Sequence, residues 1–144
     1  MRGLSAFWQR MFGSGDFTAL IIVTILLIIP PLSLEAADWP LAMDVILPIT
    51  ILSVGFGLLL SRSQFGELLA LIISTTYGIC LVLLITALVM GGGLGSGVYD
   101  VFARTIDWTI DINTDQINQD DVVFTLLVAT LFWFLGYNAA WHTF

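Results

Sequence analysis

Four apolar stretches, at residues 17–34, 41–61, 68–90 and 122–141, constrain this chain more than any other feature. The only charge in them is Asp44, near the start of the second. Each approaches or reaches the length at which a helix rising 1.5 Å per residue crosses a hydrocarbon core of ~30 Å, about 20 residues. The runs are continuous rather than alternating, which excludes the strands of a barrel. The composition agrees: hydrophobic residues make up 58% of the 144 and charged residues 10%, far below the roughly 25% of soluble domains. The predicted fold is all-α: a polytopic bundle of four transmembrane helices at 16–144, preceded by an amphipathic segment at 1–15.

Charge placement orients the bundle. Arg2 and Arg10 precede the first span, Arg62 lies between the second and third, and only Arg104 falls in the longer loop at 91–121. The positive-inside rule then puts both termini in the cytoplasm. Most of the eleven acids fall on the other side. With four basic residues in all, the chain has no surface for nucleic acid. A cleaved signal peptide is a poor reading of the start, because Leu34-Glu35-Ala36 places bulky and acidic residues where small ones are needed.

Local signals mark the joints. Asp16 is placed to cap the first helix, Asp38 with Pro40 to start the second, and Glu67, Asp120 and Asp121 to favour the N-termini of the third and fourth. Pro30-Pro31 interrupt the first span and Pro48 should kink the second. Trp39, Trp133, Tyr137 and Trp141 read as belt aromatics at the membrane boundaries. Residues 4–12 and 98–110 both pattern as short amphipathic helices, the second with an acidic polar face.

Motifs that suggest chemistry fail on inspection. The glycine run at 91–97 has no lysine for a phosphate loop and reads as a flexible linker. Asp111-Ile112-Asn113-Thr114-Asp115 starts like a calcium loop, but Gln116 stands where glycine is required and Val122 where glutamate is. Cys80, the single cysteine, has no histidine nearby and reads as apolar packing. His142 at the end of the last span reads as an interfacial polar residue rather than a pigment ligand. Asp44 is the one intramembrane carboxylate and hence a candidate for proton transfer. No catalytic residue, metal site or cofactor is expected, and structural lipid is the one ligand admitted.

The more specific signal is a set of small-residue stripes. Ala70, Ser74 and Gly78 recur every four residues in the third span, Ser53 and Gly57 in the second, and Gly136 and Ala140 in the fourth. Such stripes let helices approach closely in lipid, where packing rather than the hydrophobic effect drives association. Trp108, Asp111 and Asp115 in the 91–121 loop are the expected partner contacts.

The last span also carries a family resemblance. Asp121 before the span, Phe132-Trp133, Leu135-Gly136-Tyr137 and Ala139-Ala140-Trp141 are similar to the N-terminal membrane region of bacterial, Chloroflexi-type transglutaminase-like membrane proteins. In that family more spans and an external catalytic domain follow. This sequence stops at Phe144 without a Cys-His-Asp site, so the resemblance implies a membrane-anchoring module and no enzyme activity. The expected function is a non-catalytic accessory subunit of a larger membrane complex, with respiratory and photosynthetic electron-transfer assemblies as the expected hosts. Its partners would be the lipid bilayer and other membrane subunits, with no soluble small-molecule substrate. The alternatives are the transglutaminase-like anchor and a small channel or carrier, the last short of polar residues for a path.

Overall fold

The computed structural model describes residues 16–114 and 119–144, and among these all regular structure is helical. The five helices are α1 (Asp16–Ala36), α2 (Met43–Ser61), α3 (Glu67–Val89), α4 (Leu94–Asn113) and α5 (Asp121–Thr143). Four of them, all but α4, are long and apolar enough to cross a membrane. The segment expected to be amphipathic at 4–12, Arg2, Arg10 and Asp115 lie outside the described residues.

α2 and α5 form the centre. About half of each span is buried, against 6% of α1. The central core joins Val45, Ile46 and Ile49 of α2 to Val82 of α3 and Ala129, Phe132 and Trp133 of α5. Leu60, Ala70 and Tyr137 pack at the end bearing the α2–α3 turn. Ala87, Val101 and Val122 pack at the opposite end, where α4 lies. α1 is peripheral, with Ile21, Ile22, Ile25, Leu26 and Ile29 all exposed.

The joints differ from their sequence reading in physically explicable ways. Asp38 and Pro40 do not start α2. Asp38 instead ends α1, taking φ 54°. Its N–H donates to Glu35 O at 3.0 Å, and Trp39 N–H reaches back to Leu34 O at 3.3 Å. That is the Schellman arrangement, with an aspartate in the left-handed position that glycine usually fills. α2 begins at Met43 after the Ala42 cap, whose own N–H donates to Thr125 Oγ1 on α5 at 3.2 Å. Pro48 therefore falls in the second turn of α2, where its missing N–H deprives the Asp44 carbonyl of its usual partner. Pro30 and Pro31 likewise do not end α1, which continues to Ala36.

Two further expectations are corrected. Trp133 and Tyr137 are not belt residues but buried core, 1% and 2% exposed. Trp133 lies near the middle of α5 and faces its neighbours rather than the boundary. The glycine run is not a flexible linker but an ordered corner between α3 and α4. Gly91 N–H donates to Ala87 O at 3.1 Å, and a Cβ on Gly91 would lie 2.5 Å from Gly97 Cα. Gly92 and Gly93 take φ 75° and 146°, which side chains resist. Glycines are needed here because two backbones touch.

Candidate functional site

The small-residue stripes meet large or complementary surfaces. Ala70, Ser74 and Gly78 form the buried stripe of α3. Trp133 of α5 lies across it, its Nε1 donating to Ser74 O at 3.0 Å and Ser74 Oγ at 3.3 Å. A Cβ on Gly78 would collide with this indole nitrogen and lie 2.5 Å from Trp133 Cδ1. Phe56 of α2 completes the cluster, its ring 5.6 Å from Trp133 and 5.4 Å from Tyr77. One indole thus contacts both α2 and α3.

The second contact is between stripes on α2 and α5. A Cβ on Gly136 would collide with Ser53 Oγ, and one on Gly57 would lie 2.7 Å from Ala140 Cβ and 2.8 Å from Tyr137 O. Ser53 Oγ donates to Thr50 O at 2.7 Å, and Thr50 Oγ1 to Ile46 O at 2.8 Å. Both hydroxyls are satisfied within α2, so they fill the contact without carrying an unpaired polar atom into lipid. Among the described residues Thr86 Oγ1 on α3 is the exception: fully buried, with no hydrogen-bond partner.

α4 runs across one end of the bundle. Gly97 packs against the last turn of α3, where its Cβ would meet Ala87 O at 2.5 Å. One turn on, Val101 is buried with Ala87 and Val122. Arg104 then bonds Asp100 at 2.9 Å through Nε and Asp120 at 3.1 Å through Nη1. These two carboxylates raise the guanidinium pKa through hydrogen bonds, Asp100 first. The other oxygen of Asp120 caps α5, accepting from Val122 N at 2.9 Å and Val123 N at 3.2 Å. Further along, Trp108 joins Pro40, Gln119, Asp120, Asp121 and Phe124 around a half-open pocket of about 460 Å³. Phe102, Ile106 and Ile110 of α4 stay exposed on a face turned away from these contacts.

The remaining sequence candidates are not brought together. Asp44 lies exposed in the first turn of α2, near the start of that span, as its position in the sequence places it. His142 is exposed in the last turn of α5, at the opposite end of the bundle from α4. Cys80 is exposed on the outer side of α3 rather than packed inside. Trp108 is half-buried at the pocket and Asp111 partly buried on α4. Sequence reasoning missed the pocket, because its walls come from the α1–α2 joint, α4 and the start of α5, which no spacing links. Comparison with protein-family models, curated proteins and solved structures finds no match for this chain.

Proposed function

We propose that this chain is a non-catalytic membrane scaffold, an accessory subunit of a larger complex in the bacterial inner membrane, with respiratory or photosynthetic electron-transfer assemblies as hosts. The observation carrying this reading is the filled interior. Ile46, Ile49, Val82, Phe132 and Trp133 occupy the space between α2, α3 and α5, and the hydroxyls of Thr50 and Ser53 are bonded to their own helix. A channel or carrier needs a wettable path with uncommitted polar groups. The thinly attached α1 and the exposed apolar face of α4 leave surface for neighbouring subunits. Orientation by the arginines puts α4 and the pocket outside.

A second reading is the anchor of a transglutaminase-like membrane protein. It rests on the sequence likeness of the last span, several of whose residues (Phe132, Trp133, Gly136, Tyr137 and Ala140) are buried in this bundle. The decisive experiment is extraction from native membranes in mild detergent followed by mass spectrometry of what copurifies. Stoichiometric membrane subunits support the scaffold. Recovery of the chain alone, together with ion flux across reconstituted liposomes above that of empty ones, would refute it. An in-frame catalytic domain downstream of Phe144 would favour the anchor.

A further inference from the structure

We infer that the pocket under α4 binds an organic ammonium group, held over aromatic rings and countered by Asp121. The walls carry the argument. Trp108 and Phe124 line the pocket, and Trp39 packs at a tilt against Phe124 with ring centroids 5.6 Å apart. Aromatic faces carry negative charge and attract a cation, best when it is partly desolvated. A volume of about 460 Å³ falls in the range of small-molecule sites and exceeds what an ammonium headgroup needs.

The two carboxylates at the pocket play different parts. Asp120 is committed: one oxygen caps α5 and the other takes the Arg104 guanidinium. Asp121, the next residue, is exposed, and among the described residues no hydrogen bond or ion pair engages its side chain. It is the carboxylate left for an incoming cation. Asp121 would repel a ligand of net negative charge. The pocket lies where α2 and α5 begin, at the level of a lipid headgroup, so the ammonium comes either from an aminolipid such as phosphatidylethanolamine or from a free amine. This inference is independent of the scaffold reading.

The test measures thermal stability of the full chain in detergent against added tetramethylammonium chloride, with sodium chloride at equal ionic strength as reference. A saturable rise of the midpoint with tetramethylammonium is expected. Asp121→Asn and Trp108→Leu should each weaken the half-saturating concentration about tenfold or more, the loss of one desolvated cation–π or ionic contact. Asp107→Asn removes the same charge from α4 outside the pocket and should leave it unchanged. A non-saturable effect, or an equal loss in Asp107→Asn, overturns the site. Nanodiscs of phosphatidylethanolamine against phosphatidylglycerol, beside free ethanolamine in detergent, then separate the sources. A midpoint shift in the lipid arm alone assigns the site to a headgroup, and one with free ethanolamine assigns it to a soluble amine. A shift in neither arm confines binding to the synthetic cation and overturns the physiological proposal.

Discussion

Replacing Gly78 by alanine tests the central contact of the bundle with a single methyl group. The added carbon would sit 2.5 Å from Trp133 Cδ1 and 2.7 Å from Cε2, where carbon atoms rest at about 3.5–4.0 Å. The indole must therefore move by about 1 Å. It is the rigid body of a ring, wedged against Phe56, and its Nε1 holds Ser74 O at 3.0 Å. Losing that bond costs about 1 kcal/mol, since hydrogen bonds inside membrane proteins average ~0.6 with a maximum near ~1.7. Overpacking adds about 1–3 kcal/mol. The better helix propensity of alanine returns up to about 1 kcal/mol. The balance is a loss of roughly 1–3 kcal/mol, and Gly78→Leu should lose more. Gly55, in the middle of α2, is the control: no atom lies within 4 Å of its would-be Cβ. Gly55→Ala should be neutral or stabilise by up to about 1 kcal/mol. The assay is reversible unfolding by dodecyl sulfate in mixed micelles, read by circular dichroism and tryptophan fluorescence. Equal midpoints for Gly78→Ala and Gly55→Ala would refute the argument that the α3–α5 approach depends on glycine.

Five more outcomes follow from the geometry and the charge placement. Thr86→Val replaces a buried hydroxyl without a partner by a methyl group, and should leave the midpoint unchanged or raise it by up to about 1 kcal/mol; a clear loss would show that the hydroxyl is bonded. Asp120→Ala removes the α5 cap and the Arg104 pair together and should cost about 1–2 kcal/mol, whereas Arg104→Gln should cost less than about 1 kcal/mol, because the pair is largely exposed, and that cost should shrink further in salt. Trp133→Phe keeps an aromatic ring but loses the bond to Ser74 and leaves space at a fully buried site, and should cost about 2–3 kcal/mol in the same unfolding assay. In a Cys80→Ala background, itself expected to be neutral because Cys80 is exposed, Ser63→Cys should label from the cytoplasm and Thr114→Cys from outside; the reverse at both sites would overturn the arginine argument.

The spans were legible because hydropathy and length act locally, and all four fall within a few residues of their expected bounds. The amphipathic pattern at 98–110 was legible too, although the helix extends to Leu94 and Asn113. What the sequence hid is what depends on a partner. Trp133 and Trp39 are the same residue type, yet one is 1% and the other 47% exposed, because only Trp133 has a glycine facing it on the next helix. The glycine corner at 91–97 has the composition of a linker. Its order comes from the contact between Gly91 and Gly97, which composition does not encode. Asp38 and Pro40 carry the residue types of a helix start, but the aspartate is used to stop the preceding helix. The pocket was illegible for the same reason: Pro40, Trp108 and Phe124 meet only once the bundle has formed.

The pairing of α2 with α5 sets a waiting time during synthesis. The helix that packs most closely on α2 comes much later in the sequence: α5 begins at Asp121, some 60 residues after α2 ends at Ser61. At roughly 5–20 residues per second, α2 leaves the ribosome several seconds before its main partner exists. In that interval its packing face, with Thr50 and Ser53 on it, meets lipid or the insertion machinery. The hydroxyls tolerate this because each donates to a carbonyl of α2 itself, at Ile46 and Thr50. A polar side chain that relied on α5 for its partner would be stranded in hydrocarbon over the same seconds. The face that α2 keeps for its late-arriving neighbour is thus already compatible with lipid at birth.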